Sequence, residues 1–129
     1  MSQTAAPVTS PWRAALCDIA SIVVFVAIGR ASHAEGVTLG GLTATAWPFL
    51  AGLALGWVVF RVWRAPSAIV WTGLGLWAVT VVAGLLLRVL GGDGAAPGFV
   101  IVTCVVLGLL MLGWRFGARL HARRGRRRV

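Results

Sequence analysis

Charged positions divide this chain into long apolar runs. Gly36 to Phe60, Ala65 to Leu87 and Gly94 to Trp114 contain no charged residue, and a fourth run, from about Ala14 to Gly29, is interrupted only by Asp18. An α-helix needs about 20 residues to cross a hydrocarbon core, and each run is close to that length. Backbone N–H and C=O groups cannot stay unpaired in lipid, so even the β-branched stretch Ile22 to Val26 is expected to be helical. A transmembrane barrel would need alternating segments of about ten residues, and these runs do not alternate. The pattern predicts an all-α, polytopic membrane protein with four transmembrane helices over 13–30, 41–61, 67–88 and 98–117. An unstructured cytoplasmic arm (1–12) precedes them and a basic cytoplasmic tail (119–129) follows.

Composition agrees with that reading. Hydrophobic residues make up 59% of the 129 and charged residues 12%, about half the charge of an ordinary soluble globule. The first run does not read as a cleaved signal peptide, because Asp18 fits a signal core poorly. The net charge of +9 comes from 12 arginines, with no lysine, against three acids. Arg13, Arg61, Arg64, Arg115 and the arginines of the tail fall on one side of the four spans, and only Arg30 and Arg88 on the other. The positive-inside rule then places the protein in the cell membrane with both termini cytoplasmic. Because the positives flank apolar spans, the expected partners are anionic lipid headgroups rather than nucleic acid. Cys17 and Cys104 lie at different depths, which suits neither a disulfide nor a metal site.

The polar groups inside or beside the spans carry the candidate chemistry. Asp18 lies about 7 Å beyond Arg13 by helical rise, where an ionised carboxylate must be paired, hydrated or protonated. Arg115 has a comparable depth on the last helix, so an Asp18–Arg115 pair is one expectation, and a proton or cation relay or simple hydration are the others. If they pair, exchanging the two charges should recover what each single change loses. The segment after the first span, with Arg30, Ser32, His33 and Glu35, is the densest polar cluster, and Arg88 and Asp93 stand in the other outer loop. These six residues read either as a salt-bridged turn or as a site for an anionic headgroup, a quinone-like molecule or a transported ion. His33 and Glu35 do not complete a metal or acid–base motif. No catalytic residue, metal or cofactor is assigned.

Pro48, inside the second span, removes a backbone donor and predicts a break there, with Thr43 and Thr45 placed to satisfy the freed backbone. Gly52 and Gly56, and likewise Gly113 and Gly117, are four apart and signal close helix contact, within the chain or in a homo-oligomer. The halves also echo each other. Arg30 precedes Glu35-Gly36 as Arg88 precedes Asp93-Gly94, and Gly56-Trp57 matches Gly113-Trp114. Such a two-plus-two repeat would give parallel halves related about the membrane normal.

The text Arg30-x-Ser32-His33-Ala34-Glu35-Gly36, then Thr45-Ala-Trp47-Pro48-Phe49-Leu50-Ala-Gly52, then Leu87-Arg88, Ala96-Pro97-x-Phe99 and Gly113-Trp114-Arg115 resembles a family of small prokaryotic membrane proteins of unassigned function. The resemblance implies a four-helix membrane domain and no substrate or catalytic residue. Three functional readings stay open. They are a small-solute or ion translocation component, a non-enzymatic lipid-associated or accessory protein, and a lipid-modifying enzyme acting at the outer face.

Overall fold

The computed structural model describes residues 9–32 and 36–128. Within them the chain is helical: α1 Pro11–Ser32, α2 Leu39–Phe60, α3 Leu74–Leu90 and α4 Pro97–Arg127. Short 3-10 (Val62–Arg64) and π-helical (Ile69–Gly73) turns lie between α2 and α3. Counting the π turn with α3, four helices are long and apolar enough to cross a membrane. Each packs against its chain neighbours, and α1 closes the ring against α4.

Local chemistry marks the helix ends. Thr38 caps α2, its hydroxyl accepting from the Gly41 N–H at 3.1 Å, which satisfies one of the orphan donors of the first turn. Arg61 ends α2 in the left-handed region (φ 48°) and donates its N–H to the carbonyls of Trp57 and Val58. That conformation costs a non-glycine residue about 1–2 kcal/mol, and it turns the chain sharply into the 3-10 segment. Pro97 opens α4 from its first turn, where a missing N–H removes nothing the helix would use.

Three differences from the sequence reading stand out. The helix is not broken at Pro48, since α2 runs through it from Leu39 to Phe60. The hydroxyl of Thr43 bonds back to Leu39 O at 2.8 Å and that of Thr45 accepts from Arg30, so these bonds go elsewhere than to the carbonyl that the proline frees. The irregular turn falls instead at the start of α3, where Gly73 N–H reaches Ala68 O at 2.9 Å, five residues back. Finally, α4 continues as helix to Arg127. At 1.5 Å per residue it is about 46 Å long, well over the roughly 30 Å of a hydrocarbon core.

Apolar side chains occupy both the inside and the outside of the bundle. Ile22, Phe49, Leu76, Leu107 and Met111 are fully buried, while Leu86, Ile101 and Leu109 are 60%, 64% and 70% exposed. A water-soluble surface does not carry so continuous an apolar exterior, and hydrocarbon is the solvent that suits it.

Glycine spacing separates two kinds of contact. A Cβ on Gly52 would lie 3.0 Å from Thr80 O and 3.2 Å from Gly84 N, so the α2 and α3 backbones touch there. Gly113 and Gly117 share the same four-residue spacing, yet a Cβ on either meets nothing within 4 Å. We therefore expect Gly113→Ala to leave the thermal midpoint in detergent unchanged or raised, because alanine is the better helix former by about 1 kcal/mol.

Candidate functional site

Two polar centres sit at opposite ends of the bundle. The first is built on Asp18 of α1 and Arg115 of α4, both fully buried. The guanidinium meets the carboxylate bidentately, NH1 to Oδ1 and NH2 to Oδ2, each at 2.7 Å. Trp114 Nε1 donates to Oδ1 at 2.9 Å and Trp57 Nε1 to Oδ2 at 3.0 Å. Arg115 also donates from Nε to Pro66 O and from NH1 to Met111 O, both at 2.9 Å. The carboxylate thus accepts four bonds, two of them charge-assisted and parallel, which is the strong form of this interaction. The pair joins α1 to α4, and the indoles and Pro66 add α2 and the α2–α3 turn.

The irregular turn belongs to this centre. A Cβ on Gly73 would lie 3.0 Å from Ala68 O and 3.2 Å from Arg115 Cδ, so a glycine in the π-helical turn leaves room for the arginine to pass. Sequence reasoning placed Asp18 and Arg115 at matching depth but missed Trp57, Trp114, Pro66 and Gly73. The Gly-Trp repeat was the available signal for the two indoles. The geometry of the centre argues against recovery by charge exchange. Both indole N–H groups face the acid, and the Pro66 and Met111 carbonyls face the base. An arginine at 18 and an aspartate at 115 would meet donors and acceptors of the wrong kind.

The second centre is a cavity of about 550 Å³ between α1 and α4 at the other end. Phe25, Val26, Phe99 and Val102 supply apolar lining, and Arg30, Thr45 and Arg88 the polar groups. Phe25, Phe49 and Phe99 form a ring cluster with centroids 5.5 to 6.3 Å apart, Phe25 standing edge-on to Phe49. Aromatic rings favour such edge and tilted arrangements.

The two arginines are held alike. Arg30 Nε donates to Gly36 O at 3.0 Å, and Arg88 Nε to Gly94 O at 2.8 Å, each six residues on. Arg30 NH1 also reaches Thr45 Oγ1 at 3.3 Å, and its guanidinium occupies the space a Cβ on Gly41 would need. Arg88 lies with Cζ 4.4 Å from the Phe99 ring centroid, a cation–π contact strengthened where water is scarce.

The other sequence candidates divide. Ser32 ends α1, while His33 and Glu35 lie outside the described residues. Asp93 does not join the expected charge network with Arg88. Its backbone N–H caps Arg88 O at 3.0 Å, its side chain forms no ion pair among the described residues, and it does not line the cavity. Gly92, at φ 95°, provides the left-handed turn that gives Asp93 this capping position.

The fold defines a multi-pass helical membrane protein. The chain belongs to the family described as a protein of unknown function, DUF3054, whose model matches residues 15–118. No curated protein and no solved structure matches it.

Proposed function

We propose that this is a non-enzymatic binding protein of the cell membrane, with both termini cytoplasmic, that holds a membrane amphiphile in the cleft between α1 and α4 on the outer side. The observation that carries the proposal is the cleft itself, whose lining combines the apolar Phe25, Val26, Phe99 and Val102 with Arg30 and Arg88. A volume of about 550 Å³ falls within the usual range of ligand pockets, which are mostly apolar with a few polar groups fixing orientation. The ten-to-two division of arginines between the sides supports the orientation. The arginines of the α4 extension, Arg119 to Arg127, would then meet anionic headgroups of the inner leaflet.

A solute path from the outer cluster past Pro48 to Asp18 has less behind it. Phe25, Phe49 and Phe99 pack together beneath the cleft, and Asp18 is saturated with donors. The matching Arg–Gly bonds, and the donation of both Gly-Trp indoles to one carboxylate, favour the two-plus-two repeat as the origin of the bundle.

The test is photocrosslinking in lipid nanodiscs with a diazirine-bearing alkyl amphiphile. Labelled peptides should contain Phe25–Gly29 and Gly98–Val102. Gly98 lines the cleft and a Cβ there meets nothing within 4 Å, so Gly98→Trp should fill the cleft and reduce labelling about tenfold or more without loss of folded protein. Labelling spread evenly over the outward faces, and insensitive to Gly98→Trp, would refute the proposal.

A further inference from the structure

We infer that the cleft selects amphiphiles whose head is an oxyanion, a phosphate or a carboxylate, and that Arg88 is the residue that reads it, with Arg30 as the second cation. This rests on the amphiphile reading above.

The state of Arg88 carries the argument. Arg88 is half-buried and lines the cleft. One edge is used, Nε being bonded to Gly94 O, and one face is covered, Phe99 lying beneath it. Its terminal nitrogens NH1 and NH2 have no hydrogen-bond partner among the described residues. A cation beside hydrocarbon is costly unless something answers its charge. Here the orientation is already fixed by the protein, so little side-chain freedom remains to be lost on binding. A guanidinium held in this way offers donors in a plane, the geometry that matches a carboxylate or phosphate head and that an ammonium cannot reproduce.

The surroundings point the same way. Among the described lining residues there is no acid. Arg30 brings a second positive charge to the same cleft from the last turn of α1, as Arg88 does from the last turn of α3. The lining away from the arginines is apolar, which suits the first methylenes of a chain and not a hydrated inorganic ion. With α1 and α4 tied at the far end through Asp18 and Arg115, the amphiphile would enter the cleft between their other ends. The head would rest at the level of Arg88 while the remainder of the chain extends into lipid.

The experiment is a competition series against a neutral diazirine-bearing dodecanol probe in nanodiscs of zwitterionic lipid. Competitors are dodecyl phosphate, dodecanoate, dodecanol and inorganic phosphate. We expect dodecyl phosphate and dodecanoate to compete about tenfold or more better than dodecanol, the ratio expected for a charge-assisted hydrogen bond. Arg88→Gln should bring that ratio to within about twofold while the dodecanol midpoint stays put, and Arg88→Lys should recover only part of it. Equal competition by all three dodecyl compounds in the wild-type protein, which needs no variant to fold, overturns the inference but leaves the amphiphile reading intact. An unchanged ratio in Arg88→Gln overturns the role of Arg88. Competition by inorganic phosphate as strong as that of dodecyl phosphate upholds oxyanion recognition and overturns the amphiphile reading. Absence of labelling in the cleft both by this probe and by a diazirine-bearing dodecyl phosphate overturns both.

Discussion

Asp18→Asn should destabilise the bundle by about 3–5 kcal/mol, the usual consequence of removing one member of a buried ion pair. The amide would leave the Arg115 charge without its counter-ion. Whichever way it turned, it would also set an NH2 group against an N–H donor now facing Asp18. Arg115→Met strands the carboxylate instead, and should lose a similar amount. The informative variants are the doubles. Asp18→Leu with Arg115→Met removes both charges, and should be less damaging than either single change because no unpaired ion remains. Asp18→Arg with Arg115→Asp should not recover, because two indole N–H groups would face a guanidinium and two carbonyls a carboxylate. Thermal unfolding in detergent, followed by far-UV circular dichroism, measures all four. Recovery in the exchanged pair would show that charge alone, rather than the arrangement of donors and acceptors, holds this centre.

Gly52→Val should have the next largest effect. A Cβ alone would come within 3.0 Å of Thr80 O and 3.2 Å of Gly84 N. Both are backbone atoms of α3 that can yield only if the helix shifts. Overpacking of this sort costs about 1–3 kcal/mol, sometimes more, and it would push α2 and α3 apart where their backbones meet. Gly56→Ala should be milder, because its nearest neighbour, at 2.6 Å, is the mobile end of the Leu76 side chain. The order of the thermal midpoints, wild type above Gly56→Ala above Gly52→Val, is the expected result. A Gly52→Val midpoint equal to wild type would contradict the contact.

These two cases also show what can be read from the sequence and what cannot. Depth along a helix is fixed by residue number and rise, so Asp18 and Arg115 could be set at the same level from their positions in the apolar runs. Rotation about the helix axis is not fixed in that way. The approach of Trp57 and Trp114 to one carboxylate depends on how all four helices turn, as does the difference between Gly52–Gly56 and Gly113–Gly117. Apolar exteriors hide the periodicity that would reveal the inward face in a soluble helix. Loops failed for another reason. Arg88 and Asp93 look like partners by charge and spacing, but the backbone N–H of Asp93 and the carbonyl of Gly94 meet the needs of this turn first. At Pro48 the helix loses one donor but keeps its remaining bonds, and the residue is buried, so α2 runs on through it.

Occupancy of the cleft between α1 and α4 is the central claim, and NMR in nanodiscs reaches it most directly. With protonated dodecyl phosphate in deuterated lipid, cross-relaxation from the first methylenes should reach the Phe25 and Phe99 rings and the Val102 methyls, and leave Val82 and Leu109 on the outward faces untouched. Equal cross-relaxation at Val82 and Leu109, with none at Phe99, would contradict it.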